Sequence, residues 1–225
     1  MLDFLPENIS SFGGEIDGVI TYIWRIILAW LVATEAVLVY LLVRYRRREG
    51  RRAAWLPATT WRAKAWILVP AVFVTICDIG IEARSAPVWD EVKLELPEPD
   101  LLIRVTGRQF VWTFTYAGPD GELDTADDFE AITDLYVPRD RVVRFQLESA
   151  DVLHSFWVPV LRLKQDAVPG RSIPGWFEAT ADGRYEIACA ELCGASHTAM
   201  RGRLTVQPPE IFDAWSSTMA EQQSL

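Results

Sequence analysis

Two long apolar runs occupy the beginning of the chain. The first covers residues 19–43 and the second covers residues 66–81. A helix needs roughly 20 apolar residues to cross the hydrocarbon core of a bilayer. The first run has that length, and the second reaches it when flanking residues are added, with Trp61 at the interface. The pattern predicts a hairpin of two transmembrane helices, at about 18–43 and about 65–82, and a buried core helix is the alternative for the second run.

The loop between the two runs is strongly basic. Its arginines are Arg44, Arg46, Arg47, Arg48, Arg51 and Arg52. Short arginine-rich loops stay on the cytoplasmic side of a membrane. We therefore expect an integral protein of the bacterial inner membrane whose N-terminus and C-terminal part both face the periplasm. The first helix is not expected to be a cleaved signal, because it is too long and is followed by arginines instead of a small-residue cleavage site.

Three charged residues lie in or beside the apolar runs. Arg25 and Asp78 are near the outward ends, where snorkelling or pairing costs little. Glu35 is deeper, towards the inner side, where a carboxyl is costly unless it faces protein or water. Two interpretations of Glu35 stay open: a neutral carboxyl bonded to a neighbouring helix, or a residue of a proton path.

From about residue 95 the pattern changes to short strand-like segments separated by Gly, Pro and Asp turns. These segments are 102–106, 109–116, 142–148, 155–158, 185–188 and 204–206. Many short strands with such turns indicate an antiparallel β-sandwich. Pro208 and Pro209 then predict a last helix that runs to about Glu221, because proline suits a first helical turn. The chain thus divides into a membrane part, 1–94, and an outward domain, 95–225.

Charge excludes one class of partner. Asp and Glu outnumber Lys and Arg by 31 to 22, which gives a formal net charge of -9. Nucleic acid is therefore not an expected partner, because phosphate binding needs a basic face. The acidic stretch 120–130 is weakly similar to a calcium loop. A solvated hairpin loop is favoured for it, and a docking patch for a basic protein is compatible with the same residues.

The chemistry of the chain is concentrated near its end. Cys189, Glu191, Cys193, His197 and Met200 form the pattern Cys-x-Glu-x-Cys-x3-His-x2-Met. The other histidine of the chain, His154, is a plausible partner on a facing strand. Two thiolates, two imidazoles and a thioether are soft ligands suited to copper. Two cysteines in one short loop can each bridge two copper ions, an arrangement that suits one-electron transfer.

Other uses of these residues are less compatible with the whole set. A structural zinc site would use two cysteines and two histidines but would leave Met200 without a role. A disulfide between Cys189 and Cys193 is the alternative in an oxidising compartment. Cys-x-x-Cys-His does not occur in the sequence, so no attached c-type haem is expected on this chain.

Two further stretches complete a resemblance to a known family. Residues 151–159 read Asp-Val-Leu-His-Ser-Phe-Trp-Val-Pro, and residues 163–171 read Leu-Lys-Gln-Asp-Ala-Val-Pro-Gly-Arg. With the cysteine loop and the hairpin, they make the sequence resemble subunit II of the cytochrome c oxidases, the haem–copper terminal oxidases. The resemblance implies a transmembrane hairpin, an all-β cupredoxin-like Greek-key sandwich and a short C-terminal helix. It also implies a role in the respiratory chain as part of an oxidoreductase and translocase.

The resemblance assigns roles to individual residues. It implies a binuclear copper centre, CuA, held by His154, Cys189, Cys193, His197 and Met200, and by the backbone carbonyl of Glu191. The side chain of Glu191 would reach a magnesium or manganese ion shared with subunit I, since a carboxylate suits a hard cation. Electrons from a cytochrome c-type donor would pass through copper to haem in subunit I, where oxygen is reduced to water. Subunits I and III, the donor and the lipid bilayer are the implied partners.

The sequence departs from the family pattern at two places. The family motif is Gly-x-Gln-Trp-x-Trp, and its first Trp is the usual electron-entry contact. In this chain Phe110 stands in place of that first Trp, and Trp112 keeps the second. Neutral variation and a different donor, such as a membrane-bound cytochrome or a supercomplex partner, both stay open. Many relatives also carry a Glu at a proton-channel mouth where this chain has Ala63. We hypothesise that Glu35 supplies the missing carboxylate.

Three functions from other classes remain as alternatives. A nitric oxide or nitrous oxide reductase can carry a related copper module, although the nitrous oxide enzymes are much longer chains. A quinol oxidase subunit would lack copper, and here all the side-chain ligands are present. A copper carrier would need exposed, exchangeable thiols rather than ligands distributed over two distant segments.

Overall fold

The protein consists of two compact units. The computed structural model describes residues 5–50, 52, 57 and 59–223, so Arg51 of the basic loop lies outside the described residues. One unit is Glu15–Val88, and the other combines Met1–Gly14 with Trp89–Leu225. The predicted division at residue 95 assigned every residue before it to the membrane part. In the structure the segment before the first helix belongs with the C-terminal unit.

The first unit is a pair of long apolar helices. Helix α1 covers Gly13–Tyr45 and helix α2 covers Trp61–Trp89, after which Asp90–Leu94 continues as a π-helical turn. The most apolar 18-residue windows of the two helices have mean hydropathies of 2.4 and 1.8, and no residue within those windows is buried. By length and composition both helices can cross a membrane. Pro70 and Pro87 lie inside α2, and proline is tolerated in membrane helices because neighbouring groups satisfy the freed backbone carbonyls.

Aromatic side chains pack the two helices together. Trp30 of α1 meets Phe73 of α2 edge-on, with 5.3 Å between ring centroids. The guanidinium of Arg84 lies 4.6 Å above the ring of Tyr22, a cation–π contact. A β-carbon at Gly80 would lie 2.6 Å from the Tyr22 hydroxyl oxygen. Glycine at position 80 therefore allows the close approach of α1 at that level.

The second unit is a β-sandwich closed by a helix. Its strands are β1 Leu101–Arg108, β2 Val111–Tyr116, β3 Phe129–Ile132, β4 Asp134–Pro138, β5 Val142–Ser149, β6 His154–Val158, β7 Leu163–Ala167, β8 Ile173–Glu178, β9 Gly183–Cys189 and β10 Arg201–Gln207. One sheet has the order β3-β2-β1-β5-β8 and the other has the order β4-β10-β9-β6-β7. Helix α3, Pro209–Gln223, follows β10. The predicted fold class, a helical hairpin followed by a cupredoxin-like sandwich and a C-terminal helix, is confirmed.

Alternation along the strands places the core between the two sheets. In β5, Val143, Phe145 and Leu147 are buried while the residues between them are partly exposed. Successive side chains of a strand point to opposite faces of the sheet, so this pattern places one face of β5 inward. From the other sheet Phe156 meets Phe145 with 6.2 Å between ring centroids. Their contact joins the two sheets within the core.

The strand prediction was incomplete in two respects. It missed β3, β4, β7 and β8, which are short or carry polar residues such as Gln165 and Asp166. It also expected antiparallel pairing, whereas β1 with β5 and β4 with β10 are parallel pairs. Thr133, with φ +74, separates β3 from β4, which belong to different sheets. Such a crossover depends on strands that are distant in sequence, which local alternation does not reveal.

The segment before α1 forms part of the sandwich. The N–H of Ile9 donates to the carbonyl of Val160 over 3.0 Å, and the N–H of Thr180 donates to the carbonyl of Ile9 over 2.7 Å. Ile9 and Phe12 are almost wholly buried, and the Phe12 ring meets Trp176 at 5.1 Å. These contacts make the segment an additional edge element of the β-unit.

Candidate metal centre

The residues with ligand chemistry lie at one end of the sheet that contains β6 and β9. His154 begins β6 and Cys189 ends β9. The two strands pair antiparallel at Phe156 and Cys189, so His154 lies just beyond the last pair. The N–H of Cys189 donates to the carbonyl of Met200 over 3.1 Å, which closes the intervening loop. Strand pairing thus brings a histidine and a cysteine that are 35 positions apart to the same place.

The two thiols lie at the middle of the cluster. Cys189 Sγ and Cys193 Sγ are 3.8 Å apart, and both cysteines are free. His154 Nδ1 lies 3.9 Å from Cys189 Sγ, and His197 Nδ1 lies 3.6 Å from Cys193 Sγ. Each sulfur therefore has its own imidazole beside it. Ligand atoms of His154, Cys189 and Cys193 all lie within 4.8 Å of one another.

Two more donors complete the cluster at its ends. The thioether Sδ of Met200 lies 3.8 Å from Cys193 Sγ, and Met200 is fully buried. The backbone carbonyl oxygen of Glu191 lies 3.1 Å from Cys189 Sγ. The structure therefore brings all five predicted side-chain ligands and the predicted carbonyl together.

The geometry and chemistry of these donors fit a pair of soft metal ions. Two sulfurs 3.8 Å apart can share an ion, because metal–sulfur bonds of about 2.3 Å allow a separation of up to about 4.6 Å between bridged sulfurs. Thiolate, imidazole and thioether ligands favour copper over hard cations. A mononuclear tetrahedral zinc site has no use for a fifth and a sixth donor. The cluster thus suits a binuclear copper site better than a structural zinc site.

Burial makes the Cys193 thiol a poor acid, as its raised pKa shows. Desolvation, and then the neighbouring Cys189 thiol, raise the pKa of Cys193 to about 11. A metal binds the thiolate, so its binding must displace this proton. A cation bound here would therefore take the place of the proton on Cys193.

Asp151 fixes the orientation of His154. Its Oδ1 lies 2.7 Å from Nε2 of His154, whose side chain is fully buried. Since a carboxylate accepts, Nε2 carries the proton and the lone pair of Nδ1 faces Cys189. Burial raises the pKa of Asp151, but hydrogen bonds from the Gln109 N–H, from His154 and from the Val152 N–H outweigh it, so the pKa lies below its ordinary value.

Gln109 connects the two ligand-bearing loops. Its backbone N–H donates to Oδ2 of Asp151 over 2.7 Å. Its side-chain amide Nε2 donates to the carbonyl oxygen of Cys193 over 2.6 Å. One residue after β1 therefore contacts both the loop before His154 and the loop that carries Cys193.

The floor of the site is aromatic. The ring of Trp112 meets His154 at 5.9 Å and Phe156 at 5.3 Å, both edge-on. Trp112 is fully buried within this chain, so its ring offers no surface that a partner protein can contact. Glycine at position 107 leaves room for this packing, because a β-carbon there would lie 3.0 Å from both the His154 and the Trp112 rings.

Phe110, in the turn between β1 and β2, packs against the loop that carries Cys193 and is partly exposed. A β-carbon at Gly194 would lie 3.1 Å from the Phe110 ring and 2.7 Å from Gln109 Nε2. Gly194 also has φ +138, which other residues rarely adopt. The ring therefore rests directly on the backbone that follows Cys193.

Sequence reasoning assigned no role to three residues of this site: Gly107, Gln109 and Asp151. All three lay within the quoted motifs, and the Asp-x-x-His spacing before a ligand histidine is the signal that would have identified Asp151. Glu35 lies in the other unit as an exposed residue of α1. It is not one of the residues gathered around the thiols.

The acidic stretch is organised as a loop by its own hydrogen bonds. Asp124 pairs with Arg104 over 2.7 Å. Asp127 Oδ2 accepts from the Asp120 N–H, and Asp128 Oδ2 accepts from the Asp124 N–H. These carboxylates are used as turn caps and in an ion pair, which agrees with the interpretation as a solvated hairpin loop.

Known proteins are similar to this chain in sequence and in fold. A family model described as cytochrome c oxidase subunit II, periplasmic domain, matches residues 101–206. Cytochrome c oxidase subunit 2 of Thermostichus vulcanus is 30% identical over 262 residues, which covers 94% of this chain and 77% of that protein. Alternative cytochrome c oxidase subunit 2 of Bradyrhizobium diazoefficiens is 30% identical over 232 residues, which covers 92% of this chain and 81% of that protein.

A solved structure agrees with these relatives. The crystal structure of the periplasmic domain of subunit II of cytochrome oxidase from Bradyrhizobium japonicum superposes with a TM-score of 0.51 at 31% identity. The match covers 57% of this chain and 99% of that one. Similarity along nearly the whole chain, together with the sandwich and its cluster of two thiols, leads to one conclusion: this chain belongs to the cytochrome c oxidase subunit II family.

Proposed function

We propose that the chain is the electron-entry subunit of a respiratory haem–copper oxidase. It accepts electrons from a cytochrome c-type donor at a binuclear copper centre and passes them to haem in subunit I, where oxygen is reduced to water. The observation that carries this proposal is the pair of free thiols 3.8 Å apart, each flanked by an imidazole. Family membership supports the remaining steps.

The copper ligands of this proposal are His154, Cys189, Cys193, His197, Met200 and the carbonyl oxygen of Glu191. Copper, when bound, supplies a one-electron relay shared by two ions. The protein holds the ligands in a rigid sandwich whose interior excludes water, since His154 and Met200 are fully buried. A rigid, dry site needs little rearrangement when an electron arrives or leaves.

Glu191 connects the site to a second metal in this proposal. Its carbonyl oxygen faces Cys189, and its side chain is partly exposed, where the carboxylate would bind a magnesium or manganese ion shared with subunit I. A carboxylate suits such hard cations. The same residue would then lie between the copper site and the catalytic subunit.

The arrangement in the membrane follows from the two apolar helices and the basic loop. We place residues 1–94 as the N-terminal segment and hairpin, and residues 95–225 as the periplasmic copper domain. The loop between the helices lies in the cytoplasm, because arginines favour that side. Subunits I and III are the partners in the bilayer. This chain itself carries no haem in the proposal.

Electron entry is assigned to Phe110 and Trp112. The partly exposed ring of Phe110 lies against Gly194, next to Cys193, so it offers a short route from the surface to a thiolate. Trp112 is fully buried against His154 and would act only inside the domain. Since an indole is missing at position 110, a membrane-bound cytochrome or a supercomplex partner is an alternative donor.

Glu35 is proposed as a proton-path residue. A carboxyl within an apolar helix is costly unless it has protein or water beside it. The Glu35→Gln variant of the oxidase should therefore lose proton uptake and turnover, while copper reduction stays normal. Unchanged uptake and turnover would end this assignment.

The central experiment uses the purified oxidase complex. Metal analysis should find two copper ions per copy of this chain, and electron paramagnetic resonance should show one unpaired electron shared by two copper nuclei. Stopped-flow mixing with reduced soluble cytochrome c should then give fast, salt-sensitive reduction of that centre. A complex that lacks copper at this site would refute the proposed function.

A further inference from the structure

We propose that Gln109 and Asp151 form a clasp that sets the relative position of the two ligand-bearing loops and tunes the copper centre. Neither residue offers a ligand atom to copper, so both are positioning residues. The inference rests on the proposed function, because the clasp acts through His154 and Cys193. Gln109 precedes the proposed electron-entry residue Phe110, and the clasp gives Gln109 a separate role.

The clasp consists of three hydrogen bonds. Asp151 Oδ1 accepts from His154 Nε2 over 2.7 Å. Asp151 Oδ2 accepts from the backbone N–H of Gln109 over 2.7 Å. The side-chain amide of Gln109 then donates to the carbonyl oxygen of Cys193 over 2.6 Å. A continuous chain of bonds thus runs from one ligand, His154, to another, Cys193, without passing through the sulfur atoms.

The loop that carries Cys193 depends on this chain of bonds. Regular pairing between β6 and β9 ends at Phe156 and Cys189, and the next contact is the Ala190 N–H on the Ser155 carbonyl at 3.0 Å. Among the hydrogen bonds of the described residues, the one from Gln109 is the contact that reaches the middle of this loop from another element. Without it, Cys193 would be held only through its own loop and its packing.

The clasp also has an electronic consequence. A carboxylate that accepts from Nε2–H increases the electron density on Nδ1 and fixes the orientation of the ring. An electron-rich ligand stabilises the oxidised copper centre more than the reduced one. Removing the Asp151 carboxylate should therefore raise the reduction potential, whereas removing the Gln109 amide should mainly loosen the Cys193 side of the site.

The geometry of position 109 supports a dedicated role. Gly194, the residue after Cys193, has φ +138, and a β-carbon there would lie 2.7 Å from the Gln109 amide nitrogen. The loop backbone and the Gln109 side chain therefore fit each other closely. A side chain of the same length without a donor, as in Gln109→Met, fills this space but makes no bond.

The test compares four variants in the purified, copper-loaded oxidase complex: Gln109→Met, Asp151→Asn, Asp151→Glu and Asp100→Asn. Asp151→Asn is almost isosteric and removes the charge, whereas Asp151→Glu keeps the carboxylate. Asp100→Asn is the matched control for Asp151→Asn, because Asp100 also accepts a hydrogen bond from a backbone N–H, that of Val142 at 2.8 Å. Asp100 lies immediately before β1, whereas Gln109 and the clasp lie beyond its end. The readouts are copper loss to a chelator, the reduction potential and the copper hyperfine splitting.

Loss of such an outer hydrogen bond typically costs about 10- to 100-fold in metal affinity. We expect a loss of that size in Gln109→Met and Asp151→Asn. We also expect a raised potential in Asp151→Asn, partial recovery in Asp151→Glu, and wild-type values in Asp100→Asn. The hyperfine splitting should change in Gln109→Met, because the Cys193 sulfur moves relative to Cys189.

The wild-type complex separates the two proposals. If it holds no binuclear copper, the proposed function fails and the clasp fails with it. If the wild type holds copper, and Gln109→Met and Asp151→Asn match it in affinity, potential and hyperfine splitting, the clasp alone is refuted.

Discussion

Gly107 lies directly against the imidazole of His154: a β-carbon on Gly107 would come within 3.0 Å of the ring carbon Cδ2. The same β-carbon would also lie 3.0 Å from the ring of Trp112. A proposed copper ligand and a buried tryptophan thus share the space that this glycine leaves free. The contact explains why a strand interior, where glycine is usually unfavourable, carries one at this position.

The first prediction concerns this contact. Gly107→Ala should destabilise the β-unit by about 1–3 kcal/mol, the usual cost of overpacking a core, and should shift the His154 ring. Thermal unfolding and the copper absorption spectrum of the purified complex measure the two effects. Gly18→Ala is the control, because a β-carbon at Gly18 meets nothing within 4 Å. A wild-type spectrum and melting temperature in Gly107→Ala would contradict the prediction.

The second prediction separates the three cysteines. Cys189→Ser should abolish the proposed binuclear centre, because one of the two thiols that would hold the copper ions is lost. Cys77→Ser should keep full copper content, since Cys77 lies in α2, outside the cluster. Metal analysis of the purified complexes gives the answer. Equal copper in Cys189→Ser and wild type would contradict the proposed ligand set.

The third prediction concerns the electron donor. Phe110→Trp replaces the phenyl ring that packs against Gly194 with an indole. If the missing indole reflects a dedicated donor, the variant should gain rate with soluble cytochrome c relative to a membrane-bound cytochrome. Stopped-flow reduction of copper by each donor provides the measurement. An unchanged donor preference would mean that Phe110 is neutral variation.

The fourth prediction concerns the N-terminal segment. Phe12 is 2% exposed and packs on Trp176, so Phe12→Ala should cost about 3–5 kcal/mol of stability in the β-unit. Hydrogen exchange at Ile9 and Thr180, whose backbones are hydrogen-bonded, should accelerate. Ile211→Ala serves as a control, because Ile211 is 52% exposed. Exchange at wild-type rates in Phe12→Ala would show that the segment does not stabilise the sandwich.

The fifth prediction concerns pH and helix α3. The Arg141 guanidinium donates two hydrogen bonds to the Asp213 carboxylate and lowers its pKa. A lowered folded-state pKa gives stability that is present above the unfolded pKa of about 3.9 and is lost as the pH falls through the folded value. Asp213 is more than half exposed, so we expect about 1 kcal/mol or less.

The measurement for this prediction is the melting temperature at two pH values. Asp213→Asn should melt below wild type at pH about 7, and the difference should shrink progressively as the pH falls below the unfolded pKa of about 3.9. Glu98→Gln is the matched control, since Glu98 is an exposed carboxylate. A difference that stays constant with pH would attribute the effect to packing instead of to the ion pair.

Much of the fold was predictable from local pattern. Two apolar runs of membrane length and a series of short alternating segments gave the helical hairpin and the sandwich, and the structure confirms both. The missed strands have a physical explanation. In β7, Lys164 and Asp166 are exposed, so its residues resemble a loop until a neighbouring strand is present to pair with them.

The composition of the site was likewise contained in the sequence, whereas its arrangement was not. The spacing of Cys189, Cys193, His197 and Met200 predicted a soft metal site by itself, because these residues are close in the chain. His154 reaches them only through the pairing of β6 with β9. The assignment of these residues as copper ligands stays a prediction until copper is measured.

The sequence by itself determined the helical hairpin, the sandwich class and the soft chemical character of the metal site, because these depend on periodicity and on residues close in the chain, and its motifs carried the resemblance to the family. Only the tertiary structure decided which residues support that site. Gln109 reaches Cys193 across 84 positions, Trp112 lies beneath His154, and Phe12 packs on Trp176. Such contacts depend on how two sheets cross and pair, and no local pattern of hydrophobic and polar residues encodes that.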